Sequence, residues 1–329
     1  MQKVNHKIHK IFLIAIFLLG NTVIAFPKGQ GIEYAAIALA VAVLPTLFLI
    51  SCIIKIKEID SKLFIFLLAF FAFFTLLVSV RDYASFVDIV RLPKTPKIVI
   101  LIIFSALFCF MGTLKNRVIY HFSLFSLIFT GIIFIFVLIF SINKLDFEYI
   151  IPDKLELSVL IRQSLTFFVH SFGQLIIPFY FIGNSGEENK NYLRFGTLLG
   201  FVLISVYVLN ILLVLGGEVA YQVEYPYAAL TSLVTFSGNY SRLDGFTYFV
   251  YFYSNLIKCS VCSNIIINSV KLKKKIAAAL LATAIILILS SDFIGEFLNL
   301  DYVNFIILAF ELLFPISLLV WQKFKNRQK

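Results

Sequence analysis

The sequence predicts an all-α integral membrane protein with about ten transmembrane helices. Two observations support this class: the hydrophobic composition and the repeated long apolar runs. Hydrophobic residues make up 60% of the 329 residues and charged residues only 14%. A soluble chain of this length needs more charge to cover its surface. Long apolar runs recur from end to end, which indicates one polytopic membrane domain, 1–329, rather than a globular domain with an anchor.

Ten apolar runs are each about long enough to cross a hydrocarbon core of roughly 30 Å at 1.5 Å per residue. The first follows a basic N-terminus, as in a signal peptide. The polar Gly20-Asn21-Thr22 and the following Phe26-Pro27 make a poor cleavage region, so we interpret it as a helix. The predicted spans are 10–27, 34–54, 62–85, 97–113, 117–141, 159–182, 193–215, 243–268, 275–291 and 301–321.

The basic residues predict that both termini are cytoplasmic. With the N-terminus inside, most of the 28 Lys and Arg fall in inner segments, as the positive-inside rule requires. An odd span count would put the cluster Lys271–Lys275 and the basic C-terminal tail on opposite sides. Topology therefore explains the net charge of +10, and we expect the lipid bilayer, not nucleic acid, as the surrounding partner.

Two of the predicted spans contain residues that break helices. Glycine costs about 1 kcal/mol in a helix interior, and Asn and Thr compete for backbone hydrogen bonds. Backbone freed at membrane depth must be buried or face a cavity. Breaks in spans one and six are typical of inverted-repeat transporters, which present unwound backbone to a zwitterionic ligand. The residues are Gly20, Asn21 and Thr22 in span one, and His170, Ser171, Phe172, Gly173, Gln174 and Pro178 in span six.

Close packing is the alternative explanation for the glycines, and it is our interpretation of Gly196-x-x-x-Gly200 in span seven. His170 is a candidate proton carrier, because histidine titrates near neutral pH, or a hydrogen-bonded packing residue. Tyr251 and Phe172 are candidates to line a pocket, with plain packing as the alternative.

Lys258 lies within the eighth span, on a polar helix face. A charge at the bilayer centre costs at least about 2.5–3.5 kcal/mol on insertion scales, so it normally faces protein or water. Three interpretations are open: an ion pair with Glu311 of span ten, an amine that exchanges a coupling proton or replaces a bound cation, and snorkelling to the inner interface. The face, at spacings of three and four, comprises Tyr251, Ser254, Asn255, Lys258 and Cys262.

The sequence carries no motif of enzyme, cofactor or metal chemistry. It has no phosphate-binding glycine loop, HExxH or GxSxG, and scattered Ser and His residues do not make a triad without geometry. Cys259-x-x-Cys262 lies within a predicted span, where cysteine is better interpreted as a small packing residue than as a redox or metal ligand. We therefore expect no enzymatic activity and no cofactor.

Four motifs follow one another along the chain. They resemble those of the B-subunit permeases of bacterial spore nutrient-germinant receptors. The segment YPYAALTSLVTFSGNYSRLD between spans seven and eight is expected to form a short surface helix. The motifs are Gly20 with Pro27; Arg81, Phe86, Leu92-Pro93 and Thr95-Pro96; Tyr225-Pro226, Arg242-x-Asp244 and Lys258-x-Ser260; and Glu311 with Pro315.

The resemblance implies a member of the amino acid–polyamine–organocation superfamily, with a LeuT-like 5+5 inverted repeat and broken helices 1 and 6. It implies an inner spore membrane or bacterial cytoplasmic membrane, a larger A-type membrane subunit and a C-type lipoprotein as partners. It further implies a small nutrient ligand, often an amino acid. The chain departs from the family at Thr22, where a second glycine is common, and at Gln174, where Glu often follows the glycine. Both departures concern ligand identity.

Three functions are therefore considered: a germinant-receptor subunit, a proton-coupled amino-acid permease working alone, and a ligand-free scaffold. The proposed coupling residues are Lys258 and Glu311, and because the lysine would take the place of sodium, no sodium requirement is expected. Arg81 and Asp82 are expected to end span three. The predicted ligand site, between spans one, three, six and eight, comprises Gly20, Asn21, Thr22, His170, Ser171, Phe172, Gly173, Gln174, Tyr251 and Asn255. The motif residues with structural or docking roles are Arg81, Pro93, Pro96, Pro226, Arg242 and Asp244.

Overall fold

Every regular element in the described part of the chain is helical. The structure, a computed structural model, describes residues 2–22, 32–56, 59, 61–90, 92–150, 156–183, 187–233, 244–270, 272–291 and 301–327. The α-helices are α1 (Gln2–Thr22), α2 (Ala35–Lys55), α3 (Lys62–Val90), α4 (Lys97–Gly112), α5 (Asn116–Ser141), α6 (Leu157–Phe167), α7 (Ile176–Phe181), α8 (Glu187–Gln222), α9 (Pro226–Leu233), α10 (Asp244–Ser269), α11 (Lys274–Leu289) and α12 (Asp301–Arg327).

Seven helical segments in the described residues are long and apolar enough to cross a membrane, which is the pattern of an all-α membrane protein. All ten predicted ranges overlap helices, but α4 and α11 have only 16 residues each, or about 24 Å, and α1 is not among the seven segments. The count of ten spans therefore stays a prediction. The seven segments are Ile32–Lys55, Lys62–Val90, Asn116–Lys144, Leu157–Phe181, Glu188–Gln222, Thr247–Ser269 and Ile307–Lys325.

Helix α1 lies at the centre of the bundle. Every side chain from Leu13 to Leu19 is fully buried. The helix packs against α5, α8 and α10, and α10 in turn packs against α3, α4 and α5. A helix that is apolar all round is expected in such a position, because no face needs to meet water. The C-terminal end of α1, at Gly20, thereby meets the middle of α10, at Lys258.

Glycines allow the central helices to approach closely. A Cβ on Gly196 would meet the Cβ of Ile14 at 2.6 Å, and one on Gly200 would meet Leu18 Cδ1 at 2.8 Å. The Gly196-x-x-x-Gly200 motif thus faces α1, as the packing interpretation predicted. Gly112 plays the same part between α4 and α10, where Asn264 Nδ2 also donates to its carbonyl oxygen at 2.8 Å.

The motif residues outside the centre lie on connections and helix ends, with one correction. Arg81 and Asp82 do not end α3: they form an ion pair of 2.7 Å within it, and the helix continues to Val90. An adjacent pair of opposite charges neutralises itself, so the helix need not stop there. Pro93 and Pro96 are exposed in the α3–α4 connection.

The predicted short helix between spans seven and eight is α9, which begins at the buried Pro226. Asp244 is the first residue of α10. Arg242 and the side chains of Asp244 and Asn21 lie outside the described residues.

Replacing Gly196 by alanine is expected to destabilise the protein by roughly 1–3 kcal/mol, because the added methyl forces α1 and α8 apart. The matched control is Gly131→Ala in α5, where nothing lies within 4 Å of the added carbon. Since alanine favours a helix by about 1 kcal/mol over glycine, the control should be neutral or stabilising. The measurement is thermal unfolding of both purified variants in one detergent. Equal stability of the two variants would contradict the close approach.

Candidate functional site

The sixth predicted span changes its helical geometry at the residues that the sequence indicated, while the backbone stays helical throughout. After α6 the chain forms a π-helical turn, Phe168–Phe172, then a 3₁₀ turn, Gly173–Leu175, before α7 begins. We call residues 168–175 the broken turn. Changes between π, 3₁₀ and α geometry alter which carbonyl each N–H reaches, and such turns are common at functional sites. The broken turn is buried except for His170, which is half-buried.

The predicted break in the first span is not seen at Gly20, and the part of that span after Thr22 lies outside the described residues. Helix α1 runs through Gly20 to Thr22, and residues 23–31 lie outside the described chain. Asn255 of α10 donates through Nδ2 to the Gly20 carbonyl at 2.9 Å. The Thr22 hydroxyl donates to the Leu18 carbonyl at 2.8 Å. The Gly20 carbonyl is one of the last four of the helix, which lack intrahelical partners, so the bond from Asn255 supports the end of α1.

The end of α1 meets both α10 and the broken turn. A Cβ on Gly20 would lie 3.0 Å from the Cβ and the Cδ of Lys258 and from the backbone oxygen of Ser254. The hydroxyls of Thr22 and Ser171 are hydrogen-bonded to each other. The absence of a side chain at Gly20 therefore leaves space for the side chain of Lys258. The hydrogen bond between Thr22 and Ser171 connects the end of α1 to the broken turn.

Lys258 is fully buried and its ammonium group points to the broken turn. Nζ donates to the carbonyl oxygen of His170 at 3.2 Å and lies 5.4 Å from the ring centroid of Phe17. A carbonyl dipole and an aromatic face both stabilise a cation in a low-dielectric site. This arrangement corresponds to a lysine that faces protein, not to one that snorkels to an interface.

Glu311 of α12 is the second buried charged residue at the broken turn. It is fully buried, and neither carboxylate oxygen has a hydrogen-bond partner among the described residues. A Cβ placed on Gly173 would overlap its Oε2 and Cδ atoms. Only glycine at position 173 therefore leaves space for the carboxylate. The predicted partners thus contact one turn, Lys258 at His170 and Glu311 at Gly173, without a hydrogen bond between them.

Three of the predicted site residues make their side-chain contacts with groups other than Lys258 and Glu311. The Phe172 ring packs against Phe201 of α8, with centroids 6.2 Å apart. Gln174 donates through Nε2 to the Val169 carbonyl at 3.0 Å, within the broken turn. The Tyr251 hydroxyl is 3.3 Å from that of Tyr207, in an aromatic cluster beyond the site.

Two residues that belong to the site were absent from the predicted ligand site: Phe17, and Ser254, which was predicted only as part of the polar face of Lys258. Phe17 lies below the ammonium group of Lys258, and Ser254 contributes its backbone oxygen next to Gly20. Phe17 precedes Gly20 by three residues, so helical spacing was an available signal for it. The described residues hold no cluster of three or more His, Cys, Asp or Glu that could bind a metal, and Cys109, Cys259 and Cys262 are buried free thiols.

Comparison with known proteins finds no protein-family model and no curated protein that matches this chain.

Substituting Gly173 by alanine is expected to destabilise the protein, because its methyl group would occupy the position of the Glu311 carboxylate. The expected loss is about 1–3 kcal/mol, the usual cost of overpacking. In the double variant Gly173→Ala/Glu311→Ala the space is restored, and most of the loss should be recovered. The measurement is a double-mutant cycle by thermal unfolding. Additive effects of the two substitutions would contradict this contact.

Proposed function

We propose that this protein is a transporter-like membrane subunit that binds a small nutrient. The chemistry of its site suits an amino acid. The observation that carries the proposal is a buried amine, Lys258, and a buried carboxyl group, Glu311, which both contact one turn. Lys258 has three N–H donors, of which one meets the His170 carbonyl, and Glu311 has acceptors without donors among the described residues. A buried amine and a buried carboxyl group beside irregular helical backbone offer donors and acceptors to the two charged ends of a zwitterion.

The receptor role rests on the resemblance to germinant-receptor permeases together with this site. We propose a LeuT-like arrangement in which α1 and the broken turn form the ligand site with α10. Pro93 and Pro96 are exposed on the α3–α4 connection, so they are available to an A-type subunit or a C-type lipoprotein. The proposed location is a bacterial inner spore or cytoplasmic membrane.

A second function, a proton-coupled permease, is favoured by one observation: among the described residues no group hydrogen-bonds to the Glu311 carboxyl. A buried carboxyl group near a buried amine is a common element of proton relays in transporters. Such a group can take up a proton when the site changes shape and release it on the other side. The receptor and the permease would use the same ligand site, and they differ in whether the ligand is moved across the membrane.

Binding is tested with purified protein in liposomes and a panel of radiolabelled amino acids. We expect saturable binding of at least one member, and at least a tenfold loss in Gly20→Leu, whose side chain would collide with Lys258. The matched control, Gly131→Leu, should bind normally. Normal binding by Gly20→Leu would show that the site lies elsewhere. Absence of saturable binding across the panel would contradict the amino-acid proposal and favour a scaffold.

Translocation is tested in the same liposomes with an inward proton gradient. A receptor should bind without accumulating the ligand above equilibrium. Accumulation that requires the gradient would identify a permease. In that case Lys258→Met and Glu311→Gln should each lower uptake at least tenfold, because each removes one member of the charge pair. Replacing external sodium by choline should change neither result.

A further inference from the structure

An apolar groove runs along the outside of the bundle between α2 and α8. Its volume is about 460 Å³, and the broken turn contributes Phe172 to its wall. The hydroxyls of Thr46 and Thr197 line the groove, but each donates to its own helix, to the carbonyls of Ala42 and Leu193, at 2.7 Å. The groove therefore offers a hydrocarbon surface and few polar contacts.

The dimensions of the groove match one leaflet of a membrane. On α2 its lining extends from Val43 to Ile54, which is about 16 Å at 1.5 Å per residue. Half of a hydrocarbon core of roughly 30 Å is about 15 Å. Leu47 and Leu198 at its rim are 58% and 60% exposed, so they face the surroundings of the helices. The natural occupant of such a surface is an acyl chain.

A single guanidinium group marks one end of the groove. Gly217 of α8 lies against Glu33, just before α2, so the two helices run in opposite directions. Arg194, near the beginning of α8, therefore lies toward the Ile54 end of the groove. Arg194 is exposed, and no hydrogen bond or ion pair joins it to another described residue. The positive-inside pattern assigns this end to the cytoplasm, where anionic lipids are enriched.

We propose that the groove binds an anionic phospholipid of the cytoplasmic leaflet, with one acyl chain between α2 and α8 and its phosphate on Arg194. Arginine suits this role, because its planar fork binds phosphate oxygens in pairs. A soluble anion would use Arg194 but not the apolar groove, and a neutral lipid would use the groove but not the charge.

The occupied groove would also contact the candidate site through one residue. Phe172 packs against Phe201, which lines the same groove, while its neighbours Ser171 and Gly173 meet Thr22 and Glu311. A lipid in the groove would therefore support the broken turn from the side opposite to these contacts. This contact between the groove and the broken turn does not depend on which ligand binds at the candidate site.

The test is native mass spectrometry of the full-length protein in detergent, with phosphatidylglycerol or phosphatidylcholine of identical acyl chains. We expect the wild type to retain phosphatidylglycerol about tenfold better, the size of one charge-assisted contact. Arg194→Gln should lower its retention to the level of phosphatidylcholine, and Arg194→Lys should keep part of the preference. Leu198→Trp, which fills the groove from its exposed rim, should lower retention of both lipids.

The matched control is Lys115→Gln, an exposed basic residue at the beginning of α5 on the same predicted side. It should retain the wild-type preference, and unfolding temperatures confirm that each variant is folded. Equal retention of the two lipids by the wild type would overturn the proposal. So would an equal loss in Lys115→Gln, which would indicate only general surface charge. Competition by water-soluble glycerophosphoglycerol at the same concentration would show that phosphate binds without the groove.

Discussion

The arrangement of this protein depends on one constraint: an ammonium group is buried where water cannot solvate it. Lys258 needs an acceptor within the bundle, and a regular helix offers none because its carbonyls are already bonded. The broken turn provides the His170 carbonyl at 3.2 Å, and Phe17 adds its aromatic face. The lysine therefore depends on the altered helical geometry of residues 168–175, which gives the charge an acceptor.

Around this contact, small residues set the distances between helices. Gly20 leaves space for the side chain of Lys258, and Gly173 leaves space for the carboxyl group of Glu311. Gly196 allows α1 to pack closely against α8. Each costs helix propensity, which the close contact offsets. The Glu311 contact is different, because it brings in a carboxylate that gains no hydrogen bond from the described residues. Burial of a carboxyl group that finds no partner among the described residues opposes stability, which is why Glu311 is included in the proposed site.

The sequence predicts local features better than long-range contacts. Helical ranges, the break at residues 168–175 and the polar face of α10 follow from apolar runs, helix breakers and spacing. The continuation of α1 through Gly20 could not be predicted, because its carbonyl is bonded by Asn255, 235 residues away. For Lys258 the sequence suggested a carboxylate partner, whereas the observed acceptor is a backbone carbonyl. Backbone acceptors do not appear in a sequence, and their availability depends on the geometry of a turn.

Under the proposed receptor function, the broken turn would let a binding event be sensed without large motions. Consecutive residues of one turn point in different directions, so Ser171 and Gly173 face the site while Phe172 faces the groove between α2 and α8. A ligand whose carboxylate competes for Lys258 removes the donor from the His170 carbonyl. The turn then loses one of the contacts that hold its π geometry. Because packed elements have few alternative arrangements, such a loss favours a discrete rearrangement over a gradual one. The aromatic contact between Phe172 and Phe201 is the first that this rearrangement would change, and it reaches α8 directly.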